Sequence, residues 1–223
     1  MRLKLLSLIT FIFVLSLESN AQVLLNTNPY WEGEVTFTNG SKEKGLIKLP
    51  HIPGVRKISF KTNENSKSKK LKRKEITSLK VKSPNGRNYI FEFLPVVYSK
   101  KNDRHFENSF LLVEAKNNYA TFYSKAGEYV VSKKTDELVL LEQYNMANDF
   151  PMFIFFIKKR DDEKAYMLAR TGDEIGLNKT LKNGVAHYLT EDQELIKDVE
   201  NGDYKHTQIP EVIQRYLETT NNL

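Results

Sequence analysis

The sequence predicts an α+β fold: a mainly antiparallel β domain, barrel- or sandwich-like, followed by a C-terminal helical unit. Two observations carry this. Between residues 30 and 169 apolar and polar side chains alternate in short runs separated by turn residues, the period of half-buried antiparallel strands. After Gly176 the apolar residues fall three and four apart, the period of helices. The expected organisation is a leader over 1–21, a lead-in over 22–29, the β domain over 30–170 and amphipathic helices over 178–223.

Trp31, Gly33, Val35 and Phe37 alternate with Glu32, Glu34, Thr36 and Thr38 before Asn39-Gly40 turns the chain. A two-residue loop would set Val35 against Lys44 and turn Gly45, Ile47 and Leu49 to the wrong face, because a one-residue slip flips every side chain. The loop is therefore expected to have three or five residues, as in 39–41 with a bulge. Ile58 and Phe60 mark a short strand, a polar loop over 62–70 leads to Leu71, and Ile76, Leu79 and Val81 precede the turn at Pro84-Asn85-Gly86. Tyr89, Phe91 and Phe93, with Ile90 and Leu94 between and after them, make a strand apolar on both sides. Runs at 110–114, 120–123, 129–131 and 138–142 follow, and 152–158 pairs with 165–169 across Arg160-Asp161-Asp162.

In the tail, Leu181, Val185, Tyr188 and Leu189 have helical spacing, although Gly184 inside the run costs about 1 kcal/mol relative to alanine. Thr190 and Gln193 read as a capping box ahead of Leu195, Ile196 and Val199, and Asn201-Gly202 closes that helix. Thr207 reads as the cap of a last helix with Pro210 in its first turn. Its stripe of Ile209, Val212, Ile213, Tyr216 and Leu217 would contribute roughly 7 to 15 kcal/mol gross on burial. Such a face must dock, on the β domain or on a partner.

Residues 1–21 read as a secretory leader: Arg2 and Lys4 open it, and 5–17 is apolar except for Ser7, Thr10 and Ser16. That core is shorter than the roughly 20 apolar residues a bilayer span needs. Ser19 and Ala21 supply small residues before a cut ahead of Gln22, so the expected location is the periplasm or cell surface. The run over 150–157 is also too short to span and contains Pro151, so no transmembrane segment is expected in the mature chain. The chain carries a net charge of +6, and a leader bearing Arg2, Lys4 and Glu18 leaves +5. The absence of cysteine removes disulfides, thiolate nucleophiles, thiolate metal sites and a lipidated N-terminal Cys. An exported chain held by its core alone suits a bacterial envelope better than a disulfide-stapled extracellular module.

The sharpest charged feature is Lys67, Lys69, Lys70, Lys72, Arg73 and Lys74, with Lys80 and Lys82 close behind. One reading is an anionic-surface contact for lipopolysaccharide or acidic glycan, worth at most about 1 kcal/mol per basic residue near a charged surface. The other is a solvated stretch whose lysines discourage edge pairing. No aromatic residue lies between Ser66 and Val81, so the stacking platform of a single-strand binder is missing and no nucleic-acid partner is expected. Tyr30, Trp31 and Tyr98 would form an aromatic contact surface if exposed side by side.

His51, His105, His187 and His206 lack the mutual spacing of a metal helix or hairpin, so no metal or cofactor is expected. Asp161, Asp162 and Glu163 read as a solvated hairpin tip, and Asp173-Glu174 as a connector. No nucleophile elbow, phosphate loop or calcium loop occurs.

The order Gly33-x-Val35, Asn39-Gly40, Gly45-x-Ile47, Lys57-Ile58-Ser59-Phe60-Lys61, Glu75-Ile76, Phe110-Leu111-x-Val113 and Phe122-Tyr123 resembles exported β-rich proteins common in Bacteroidetes. The tail with Asn201-Gly202-Asp203-Tyr204 is similar to that of the same group. Ser41 departs from the group's usual Asp, and the tail lacks a Cys. The group carries no assigned reaction, so the resemblance implies fold and export and adds nothing on catalysis.

The expectation is an exported cell-envelope protein, a non-enzymatic binding or structural module partnered by an envelope protein or anionic glycan. Its rivals are the anionic-surface binder and a hydrolase assembled from distant residues such as Asp103, His105 and Glu107.

Overall fold

The computed structural model of the chain describes residues 25–26, 29–99, 103–141, 143–144, 151–172 and 175–223; the expected leader and its cleavage point lie outside these, as do Asp173 and Glu174. The fold is α+β, with a large, mostly antiparallel sheet and three C-terminal helices. The strands are β1 (Leu25–Asn26), β2 (Tyr30–Phe37), β3 (Lys42–Lys48), β4 (Lys57–Lys61), β5 (Lys69–Lys72), β6 (Ile76–Lys82) and β7 (Asn88–Val97). They continue with β8 (Glu107–Lys116), β9 (Ala120–Lys125), β10 (Glu128–Ser132), β11 (Leu138–Leu141), β12 (Gln143–Tyr144), β13 (Pro151–Lys159) and β14 (Ala165–Gly172). The helices are α1 (Leu177–Tyr188), α2 (Gln193–Asn201) and α3 (Ile209–Thr219).

The long strands β7 and β8 form a wall between two cores. Phe91, Phe110 and Leu112, with Phe93 packed against them, face a core completed by Trp31, Val35, Ile47, Phe60, Leu79 and Tyr129. Leu94, Val96 and Leu111 face the opposite way, into a core shared with Tyr123, Ile154, Phe156 and Ala165. That is why this stretch reads as apolar on both sides: each parity of the pleat has its own core.

Around the second core the strands close on themselves. β7, β8, β9, β13 and β14 pair antiparallel in that order, and β14 returns to β7 in parallel through Ala165 opposite Val96 and Tyr166 opposite Val97. From β7 the sheet also runs outward through β6, β2, β3, β4 and β5. β1 falls inside the expected lead-in and adds to β10, and β10 pairs with β11 in a separate three-stranded sheet.

The β2–β3 register confirms the odd loop and corrects its position. Phe37 and Ser41 close the hairpin, so its loop is Thr38-Asn39-Gly40, with Gly40 at φ 81° in the left-handed region. The glycine must end the loop to make the bulge, which moves the turn one residue earlier than 39–41. A second correction concerns 62–70: its last two residues belong to β5, which is held by pairing with β4 although Leu71 is its one apolar member.

The tail packs on the ring. Leu181, Val185, Leu189, Leu195, Val199, Ile209, Val212, Ile213 and Tyr216 are buried with Ala120, Phe122, Ile157, Leu168 and Ala169. Neither expected N-cap forms. α2 is capped by Asp192, whose carboxylate accepts from the Leu195 N–H at 2.9 Å and from the Thr219 hydroxyl at 2.7 Å, tying α2 to the end of α3. α3 follows directly from a 3-10 turn over His206–Gln208, so Thr207 caps nothing. Gly202 ends α2 as expected, at φ 93°.

Polar ties complete the docking. The Glu191 carboxylate, between α1 and α2, accepts from Lys159 Nζ at 2.7 Å, from the Tyr119 hydroxyl at 2.6 Å and from the Tyr216 hydroxyl. Burial would raise this carboxyl, but those hydrogen bonds outweigh it and hold it down at about 2. Asn117, in the β8–β9 turn, donates to the Leu217 carbonyl at 2.8 Å and to the Thr220 hydroxyl at 3.0 Å, while its own carbonyl oxygen accepts from the Tyr119 and Ala120 N–H groups.

Candidate functional site: a cationic cleft at the mouth of the strand ring

At one mouth of the closed ring a lysine points inward. Lys125 ends β9 two residues after Tyr123, and the strand period places both on the face turned into the ring. Its side chain is 10% exposed, and its ammonium donates to the Glu107 carboxylate of β8 and to the hydroxyl of Tyr98, just past β7. Tyr98 in turn donates to Glu107 at 2.6 Å. Two strands and the exit of a third thus supply one hydrogen-bonded cluster, and the Tyr98 ring lies edge-on to Phe156 in the core beneath it.

The cluster opens into a cleft of about 460 Å³ lined by Pro53, Gly54, Arg73, Asn108, Ser109 and Gly127 along with Glu107 and Lys125. Arg73, in the 3-10 turn between β5 and β6, is fixed at two points: Nη1 donates to the Gly54 carbonyl at 2.9 Å, and the guanidinium sits 5.6 Å from the centroid of Phe93. Loop 51–54 is itself anchored, because the Pro53 and His51 carbonyls accept from the Phe110 and Tyr129 N–H groups.

Burial favours the neutral form of Glu107, but the hydrogen bonds from Lys125 and Tyr98 outweigh it and hold the carboxyl below its usual range. Burial and the adjacent Glu107 push the Tyr98 hydroxyl up. A carboxylate held down by two donors is a weak base, and a phenol pushed up is a weak acid. Positioned positive charge and hydrogen-bond donors are what the cleft offers a ligand.

Of the basic run, Arg73 alone lines this cleft. Lys69 pairs with Glu43 at 2.7 Å, Lys70 donates to Ser59, and Lys72 lies 3.8 Å from Glu75. Lys67 and Lys74 are exposed. The expected aromatic surface does not assemble: Trp31 is 3% exposed and stacks on Tyr89 at 5.6 Å inside the first core, so it cannot meet a ligand. Tyr30 instead bonds Ser68 beneath Lys61, and Tyr98 belongs to the Lys125 cluster.

Asp103, His105 and Glu107 do not converge, for Lys164 holds Asp103 at 3.0 Å, Lys125 holds Glu107, and His105 is exposed. Among the described residues no group of three or more His, Asp or Glu could hold a metal ion, and no helix is long and apolar enough to cross a membrane. Sequence reading passed over Lys125, although its parity with Tyr123 was the available signal. Nothing in the spacing of Tyr98, Glu107 and Lys125 announced that they meet.

The fold and cleft define an α+β chain whose mostly antiparallel strands close into a ring, through one parallel pairing, with a prearranged cationic mouth. No family model, curated protein or solved structure matches this chain.

Proposed function

We propose that this chain is an exported, non-enzymatic binding module of the cell envelope, acting in the periplasm or at the cell surface after removal of residues 1–21. The observation that carries this reading is the pairing of the two carboxylates that lysines of the ring strands hold. Glu107 and Glu191 are both held by lysine and tyrosine donors that lower their basicity, whereas the Lys125–Arg73 cleft remains open to a ligand. A hydrolase needs a nucleophile or base poised on its substrate, and a binding protein needs a rigid, shaped set of donors. The docked tail narrows where a partner would sit, since the apolar faces of α1, α2 and α3 are already covered by the ring.

The test is capture with residues 22–223 immobilised and exposed to the envelope fraction of the source cells. A specific, saturable ligand or partner is expected. A bare bait at every salt concentration, with the immobilised chain shown to be folded, overturns the reading.

A further inference from the structure

Resting on that binding reading, we propose that the cleft takes the oxyanion head of a small ligand, a carboxylate or phosphate carried on a polar body such as a sugar, between Arg73 and Lys125. The charge count points this way. Arg73 and Lys125 bring two positive charges to the lining and Glu107 one negative, which leaves one positive charge without a counter-ion among the lining residues. Donor capacity agrees. Arg73 has five N–H donors and its side chain places one on Gly54; Lys125 has three and gives two to Glu107 and Tyr98.

Preorganisation is what turns these groups into a site. Phe93 and Gly54 fix the guanidinium, and the ring wall fixes the ammonium, so little side-chain freedom is lost when a ligand arrives. A planar guanidinium matches the two oxygens of a carboxylate or phosphate. Near the largely buried Lys125 the effective dielectric is lower than in water, which strengthens attraction for an anion. Asn108 borders the same space with an amide suited to the polar body of such a ligand, while the Ser109 hydroxyl donates to Glu107. At about 460 Å³ the cleft lies in the range of small-molecule sites.

Calorimetric titration of residues 22–223 with glucuronate, glucose 6-phosphate and glucose tests this. One or both acids should bind saturably and glucose should not; which acid binds names the head group. Arg73→Gln should weaken the acid about tenfold, the loss of one charge-assisted contact. Glu107→Gln should tighten it, because the competing negative charge is gone while the amide oxygen still accepts from Lys125. Melting curves of both variants establish that they are folded. Opposite effects of the two substitutions are not produced by general damage to the fold. The proposal is overturned if neither acid binds, if glucose binds equally, or if the two folded variants match the unsubstituted chain. Failure here alongside successful capture from the envelope fraction removes the oxyanion site and leaves the binding reading standing.

Discussion

Gly184 of α1 rests against the carbonyl oxygen of Leu168 in β14: a Cβ added to it would lie 1.8 Å from that oxygen. In an isolated helix, alanine there would gain about 1 kcal/mol. Here the methyl must push α1 off the ring, and overpacking of this kind costs about 1 to 3 kcal/mol. Gly184→Ala is therefore expected to lower the urea unfolding midpoint, with a net loss of up to about 2 kcal/mol of stability. A raised midpoint would mean that α1 is not seated on β14.

Glu191 makes the docking of the tail pH-dependent. Its carboxyl lies at about 2 in the folded chain against an ordinary 4.5, so its contribution is complete above about 4.5 and is lost as pH falls through about 2. Glu191→Gln, which cannot ionise, should cost about 2 kcal/mol at neutral pH and flatten the fall in stability between those two values. Denaturant midpoints measured across that window check both parts; an unchanged slope in the variant contradicts them.

Asn117 joins the β8–β9 turn to the end of α3: two of its four hydrogen bonds reach Leu217 and Thr220, and two hold the turn's own Tyr119 and Ala120 N–H groups. Asn117→Ala removes all four and leaves the Leu217 carbonyl and two backbone N–H groups without those partners. A loss of about 2 to 3 kcal/mol is expected in the same unfolding assay. A change within about 0.5 kcal/mol, the range of ordinary surface substitutions, would show that the turn does not hold the tail.

Among the described residues β5 pairs with β4 and ends the path of strands that begins at β12, so its lysines guard the edge of that sheet. Lys69, Lys70 and Lys72 are also engaged within the fold. Replacing Lys67, Lys69, Lys70, Lys72 and Lys74 with serine should leave retention on lipopolysaccharide unchanged and promote concentration-dependent self-association in sedimentation runs. Abolished salt-sensitive retention would instead favour the anionic-surface reading.

What was legible in the sequence was periodicity. The parity of the β2–β3 hairpin followed from Val35 and Ile47 needing one face, and the tail stripe from Ile209 to Tyr216 announced a docked helix. What was not legible depends on partners distant in the chain. β5 has too few apolar residues to declare itself and exists through its ladder to β4. Asp192 displaces the expected Thr190 cap because Thr219 and Leu195 both converge on it. Gly184 reads as a helix weakness until Leu168 is placed beside it. The cleft was invisible for the same reason, since Glu107 and Lys125 come from two strands, Tyr98 from just past a third and Arg73 from a turn beside a fourth.

The reading of this chain as an envelope binder stands or falls with its compartment. The most direct measurement is the intact mass of the protein recovered separately from the envelope and cytosolic fractions of its own cells. An envelope species beginning at Gln22 is expected. A cytosolic species that still carries residues 1–21 would contradict it.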